Sequence, residues 1–110
     1  MEKLVKGNIV VIPFPFSDLS SSKKRPALVL ANLEGEDCIL AQITSSSRQN
    51  KYTIPIQERD CKEGVLNQES QIRTDKLFTA NRILVEYKLG SINAEKQKEV
   101  EQKIIEIFTK

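Results

Sequence analysis

Arg25-Pro26-Ala27-Leu28-Val29-Leu30-Ala31-Asn32 and Cys38-Ile39-Leu40-Ala41-Gln42-Ile43-Thr44-Ser45 are the two stretches whose reading decides the fold. The first is nearly all apolar after its arginine, the composition of a strand buried on both faces. The second is an apolar run that closes on two hydroxyls. Leu33-Glu34-Gly35-Glu36-Asp37 lies between them, with a glycine able to take positive φ, so the two runs read as an antiparallel hairpin. In such a hairpin the start of one strand lies beside the end of the next. Arg25 and the pair Thr44-Ser45 are therefore expected to meet at one rim of the sheet. That arrangement is an anion site made of short, rigidly placed groups.

The neighbouring segments extend the pattern. Lys6-Gly7-Asn8 reads as a turn, followed by a strand over Ile9–Phe14. Pro13 and Pro15 have no backbone donor, so this strand leaves the sheet or lies at an edge there. Ser17 to Lys24 is a polar loop with a triple serine, Ser45 to Asn50 is a second polar loop, and Tyr52 to Ile56 alternates like a strand. Arg59 to Gln68 is a linker with room for a short strand or a tight turn at Gly64. Ser70 to Thr74 and Lys76 to Thr79 read as short extended pieces. Ile83 to Tyr87 reads as a strand or as the opening of a helix, ended by Gly90. The last segment is a helix capped by Asn93, with Val100, Ile104, Ile107 and Phe108 on one apolar face and Glu99–Lys103 and Glu106–Lys110 as i,i+4 pairs. That face is expected to pack on the sheet; a seam for a partner helix is the alternative. Many short strands, turn signals about every ten residues and one terminal helix make a mainly β, α+β chain. The expectation is a small antiparallel barrel with a C-terminal helix, one domain over residues 1–110.

A length of 110 residues holds one small domain, and 39% hydrophobic with 29% charged residues excludes a disordered chain. The net charge of +2 does not by itself point to nucleic acid. Its distribution says more. Leu19 to Leu33 contains no acid but holds Lys23, Lys24 and Arg25, and Cys38 to Gln57 contains none but holds Arg48 and Lys51. Cys38 lies in an apolar run and reads as core. Two cysteines without ligand spacing in a chain with no histidine argue against zinc. Met1-Glu2-Lys3-Leu4 has no apolar signal region and no stretch is long enough to span a bilayer, so a cytoplasmic protein without a membrane partner is expected.

The absence of histidine excludes serine–histidine and cysteine–histidine triads and a histidine-pair ribonuclease. No Walker loop is present. Asp18, Glu58, Asp60 and Glu63 show no sign of converging, as a two-metal nuclease requires, so neither a metal nor a cofactor is expected. What remains is electrostatics on a phosphate. The Arg25 guanidinium is a planar fork that grips two phosphate oxygens, and the Thr44 hydroxyl donates to a third or accepts from a sugar hydroxyl. RNA carries its own nucleophile, the 2′-hydroxyl, so these residues suffice for metal-independent cleavage. The plainer alternative has Arg25 as a surface cation and Thr44 as a β-branched strand end. Aromatic residues are only 5% of the chain, and Phe14, Phe16 and Tyr52 are the few candidates for a stacking platform, Phe14 and Phe16 reading rather as core or dimer contacts.

Lys6-Gly7-Asn8-Ile9-Val10-Val11, Lys24-Arg25-Pro26-Ala27-Leu28-Val29-Leu30, Ile43-Thr44-Ser45 and Gln71-Ile72-Arg73-Thr74 together resemble the MazF/PemK toxin family, in its order and with similar spacing over essentially the whole chain. The resemblance implies an SH3-like barrel of the MazF/CcdB type, a homodimer, and a sequence-specific endoribonuclease of a toxin–antitoxin pair. It implies cleavage of single-stranded RNA (mRNA) to 2′,3′-cyclic phosphate and 5′-hydroxyl ends, with Arg25 and Thr44 as the catalytic pair. Lys23, Lys24, Ser45, Arg48, Lys51, Gln71 and Arg73 are the expected RNA-binding residues, and a cognate antitoxin is expected to occupy the same groove. Non-catalytic alternatives on this fold are a poison resembling the CcdB gyrase inhibitors and an inactive RNA-binding barrel. The chain departs from the family pattern at Asn8, where aspartate is frequent, in the glycine-free loop before Arg25, and at Asp75-Lys76, which follow Thr74 at once.

Overall fold

The structure is a computed structural model that describes residues 3–14, 23–45, 49–64 and 69–110. Among the described residues, seven strands, β1 (Asn8–Phe14), β2 (Lys23–Asn32), β3 (Asp37–Thr44), β4 (Thr53–Ile56), β5 (Cys61–Gly64), β6 (Ser70–Asn81) and β7 (Tyr87–Ile92), precede one α-helix, α1 (Ala94–Thr109). Every recorded pairing is antiparallel, in the order β4-β6-β3-β2-β1-β7-β5. The sheet curls into a half-barrel with a C-terminal helix, which agrees with the expected mainly β class and small antiparallel barrel.

Apolar residues alternate between two cores because successive side chains on a strand face opposite ways. Ile9, Leu28, Ala41, Ile43, Ile54, Ile56 and Ile72 line one face, which Val100 and Ile104 of α1 cover. Val10, Ile12, Phe14, Ala27, Val29, Cys38 and Leu40 line the other, with Leu4 and Val85 packed over it. Ala27, Leu28 and Val29 are all fully buried, as a strand covered on both faces requires. The β2–β3 hairpin turns at Gly35, whose φ of +83° is costly for any residue with a Cβ. β1 pairs with β7 only as far as Val11, so Pro13 has an open side and its missing donor is tolerated.

Helix α1 begins as expected, the Asn93 side-chain oxygen accepting from Lys96 N at 2.8 Å. Its apolar stripe packs on the sheet at Val100 and Ile104 and then runs off it, leaving Phe108 74% exposed. The i,i+4 pairs are replaced by i,i+3 pairs, Lys96–Glu99 at 3.0 Å and Lys103–Glu106 at 3.8 Å. Lys96 also donates to Pro55 O at 3.1 Å, which anchors it on the side of Glu99.

Three sequence expectations need correction. Of Ile83–Tyr87 only Tyr87 is in a strand, as the first residue of β7: Asn81 accepts from Ile83 N at 2.9 Å and stabilises a single 3-10 turn over Arg82–Leu84, closer to the helical alternative; this local bond competes with sheet pairing. Gly90 does not end an element; it lies inside β7 and pairs with both Ile9 and Gly64. A Cβ there would sit 2.4 Å from Glu63 O, so glycine is what lets β5 approach β7. The two pieces at 70–79 are one strand, β6, broken in register rather than in direction. Ala41 pairs with Leu77 but Gln42 with Arg73, so Thr74, Asp75 and Lys76 have no partner on β3 and form a bulge.

That bulge is clamped at its Thr74–Asp75 side. The Thr74 backbone N–H donates to Tyr52 O at 3.2 Å and its hydroxyl donates to the same oxygen, tying β6 to the turn before β4. The Arg73 guanidinium donates to both Asp75 carboxylate oxygens, at 3.0 Å each. This hydrogen bonding is the main reason the Asp75 carboxyl lies below the ordinary aspartate range.

Two stability predictions follow from these contacts. Gly90→Ala is expected to lower unfolding free energy by about 1–3 kcal/mol, the usual cost of overpacking, read as a lower urea midpoint; an unchanged midpoint contradicts the close approach of β5. Asp75 is held below its unfolded pKa, so its contribution is complete above the ordinary aspartate range and is lost as pH falls through the lowered value. The stability difference between wild type and Asp75→Asn, at most about 1 kcal/mol for a surface pair, is therefore expected at neutral pH and shrinks below pH ~4. A difference that persists unchanged into acid contradicts the clamp.

Candidate nucleic-acid interface

On the sheet face opposite α1, three adjacent strands change from apolar to polar at the same level. Along β2, Val29 and Ala27 are fully buried, Arg25 is half-buried and Lys23 exposed. Along β3, Cys38 and Leu40 are fully buried, and Gln42 and Thr44 half-buried. Along β6, half-buried Ala80 and Phe78 pack on the same core, and Arg73 and Gln71 follow beyond the bulge. Each set lies on one face by two-residue periodicity, with an unbroken register from Ile9↔Leu28 to Phe14↔Lys23 and from Gln42↔Arg73 to Thr44↔Gln71.

The register relates the two leading candidates. Ala27 pairs with Gln42, the last rung between β2 and β3. Pro26 follows on β2 with no N–H for the ladder. Two residues on from that rung in each strand are Arg25 and Thr44, level with one another and on the same face. Thr44 in turn pairs with Gln71 on β6. Gln71 is 3% exposed, and its Oε1 is buried without a hydrogen-bond partner. A buried acceptor left unmatched costs about 1–3 kcal/mol.

The other expected RNA-binding residues separate. Lys23 lies on the Arg25 face, opposite Phe14. Lys24 faces the other way and pairs with Glu86 at 3.1 Å. Ser45 follows Thr44 and is exposed. Arg73 lies on the Gln42 side of the same face but is held by Asp75. Lys51 is exposed in the turn before β4, its ammonium 5.2 Å from the Tyr52 ring centroid. Arg48, Phe16 and the loop residues 17–22 lie outside the described residues.

Two cavities flank these elements. One of about 290 Å³ opens beside the polar face and is lined by Gln42, Lys76, Leu77 and Phe78. Gln42 carries neither charge nor hydroxyl; its signal in the sequence is an amide interrupting an apolar run two residues before Thr44. The other, about 380 Å³, lies at the start of α1 between Arg59, Asp60, Asn93 and Lys96. There Lys96 is 3.8 Å from Asp60 and 3.0 Å from Glu99, so its charge is already matched. No group of three or more His, Cys, Asp and Glu that could hold a metal ion occurs among the described residues. Among them, no helix is long and apolar enough to cross a membrane.

Comparison with known proteins adds a family to this geometry. The toxin MazF-mt6 of Mycobacterium tuberculosis superposes with a TM-score of 0.72 at 21% identity, over 92% of this chain and 95% of that one. MazF from Deinococcus radiodurans superposes with a TM-score of 0.75 at 17% identity, over the whole of both chains. An endoribonuclease from a mycobacterial species, solved with its cognate antitoxin, gives 0.73 at 10% identity, over 96% and 95%. These likenesses establish the fold. No curated protein matched the sequence. The model of the PemK-like, MazF-like toxins of type II toxin–antitoxin systems matches residues 5–108, and the chain belongs to that family.

Proposed function

We propose that this toxin is a metal-independent, sequence-specific endoribonuclease that cleaves single-stranded RNA, with Arg25 and Thr44 as its catalytic pair. The observation that carries the reading is the common level at which β2, β3 and β6 turn polar, with Arg25, Thr44 and Gln71 on one face. Membership of a toxin family, and solved neighbours of the same fold named as endoribonucleases, support it.

In the proposed reaction the RNA 2′-oxygen attacks phosphorus, the bond from phosphorus to the 5′-oxygen breaks, and a 2′,3′-cyclic phosphate and a 5′-hydroxyl result. The 2′-hydroxyl loses its proton and the departing oxygen gains one. Arg25 grips the non-bridging oxygens and stabilises the charge that grows on them during attack. A guanidinium keeps its proton in proteins, so this side chain serves as a fixed cation rather than as a proton donor. Thr44 orients the phosphate or the 2′-hydroxyl, and Gln71, its cross-strand neighbour, reaches a ribose hydroxyl only by uncovering its buried amide oxygen. Lys23, Ser45, Arg48 and Lys51 hold flanking phosphates or sugars. Lys24 and Arg73 act only by exchanging their present carboxylate partners for phosphate.

The partners in this reading are RNA, a cognate antitoxin and a second copy of the chain, and its setting is cytoplasmic. Exposed Ile83, Leu84 and Tyr87 near the end of the polypeptide's sheet, and Ile105 and Phe108 on α1, are apolar surface available to protein partners. An antitoxin that covers the polar face would block the nuclease.

Arg25→Ala and Thr44→Ala are each expected to lower cleavage of a mixed RNA substrate by about 10²-fold or more, as loss of a single transition-state donor does. The check is initial rate on end-labelled RNA, with circular dichroism confirming the fold. Full activity in both variants removes this site assignment. RNA left intact by the wild type removes the nuclease and returns the gyrase-poison alternative, with α1 as the surface to test.

A further inference from the structure

The cavity beside Gln42 is not explained by phosphate chemistry. Gln42 is half-buried on β3, two residues from Thr44 and on the same face, a displacement of roughly 7 Å along the strand. That places it about one nucleotide from the Arg25–Thr44 rim in an extended RNA strand. Its cross-strand neighbours are Ala27 on β2 and Arg73 on β6. Arg73 is drawn to Asp75 rather than to Gln42. The bulge in β6 then carries Lys76 out of the ladder to the edge of the same cavity. Phe78 supplies an apolar wall, its ring held at 4.9 Å and 68° from that of Phe14.

This combination has a specific chemical use. A primary amide presents both a donor and an acceptor in one plane, the pattern of a nucleobase edge. Single-stranded RNA is read by splaying its bases out, stacking them on aromatic or apolar surfaces and hydrogen-bonding their edges. A cavity of about 290 Å³ has room for a heterocycle but not for a base-paired segment. Lys76 at its edge suits the phosphate that comes with the base.

Building on the ribonuclease reading above, we propose that the cavity lined by Gln42, Lys76, Leu77 and Phe78 is a base pocket for a nucleotide adjoining the scissile linkage. Gln42 reads the base edge and Phe78 forms the wall against which the base lies, so this pocket fixes one position of the recognition sequence. The polar cavity at the start of α1 has no such role, since the carboxylates of Asp60, Glu95 and Glu99 outnumber its cations Arg59 and Lys96.

The test is cleavage of a randomised single-stranded RNA pool, with the new 5′ ends sequenced, for wild type, Gln42→Ala, Gln42→Glu and Phe78→Leu. Binding selection from a 2′-O-methylated pool, which cannot be cut through the 2′-hydroxyl, runs in parallel. Gln42→Ala is expected to reduce base discrimination at one position beside the cut by about tenfold. Gln42→Glu, which keeps the shape but only accepts, is expected to change the preferred base there, and it serves if the alanine variant fails to fold. Phe78→Leu is expected to weaken the same position alone. Unchanged preferences in the variants, or a uniform loss on all sequences, overturn the pocket while leaving the nuclease in place. Wild type that selects a base in the methylated pool but leaves ordinary RNA whole keeps the pocket and removes the nuclease. No base selection in either pool overturns the pocket.

Discussion

The hydrogen-bonded register between β2 and β3, with Ala27 opposite Gln42, is the constraint on which the polar face depends. A strand has a side-chain period of two, so one rung determines which residues of both strands share a face. With this register the apolar residues of the hairpin fall into two buried cores, and Arg25 and Thr44 emerge on one side at one level. A slip of a single residue would turn Arg25 towards the face that α1 covers, burying a cation against isoleucines. The slip would also exchange small Ala27 and larger Leu28 between two packed cores, which costs packing on both faces. The position of the candidate site is thus fixed by core packing that has no direct part in its chemistry.

The two faces divide the work of the fold. On one, α1 closes a dry core through Val100 and Ile104. On the other, the apolar cover extends only part of the way along β2, β3 and β6, and the remainder is polar. The clamped bulge in β6 belongs to this second region. By looping Thr74, Asp75 and Lys76 out of register it lets one strand present Phe78 to the core and Gln71 to Thr44 without interruption of the sheet.

The hairpin, the Asn93 cap and the Arg25–Thr44 relation were legible in the sequence because each rests on local pattern: an apolar run, a capping residue, a turn of known length. The bulge at Thr74–Lys76 was not legible. It depends on the Tyr52 carbonyl, more than twenty residues away, accepting from Thr74. Gly90 was misread for a similar reason. A glycine reads locally as a terminator, but here it answers the approach of Gly64 and Glu63 from another strand. Charge alone could not separate Lys23 from Lys24, although strand alternation puts them on opposite faces once β2 is known to begin at Lys23. Gln42 went unread because it sits in a run whose other members are apolar, and only the cavity beside it distinguishes it.

The central claim is that RNA lies on the polar end of the face opposite α1, across Arg25 and Thr44. Amide and arginine side-chain NMR shifts of the ¹⁵N-labelled protein, titrated with a short 2′-O-methyl RNA, test it most directly. The account predicts shifts concentrated at residues 23–27, 42–45 and 71–78, with α1 silent. Shifts confined to α1, or no shifts at all at saturating RNA, would contradict it.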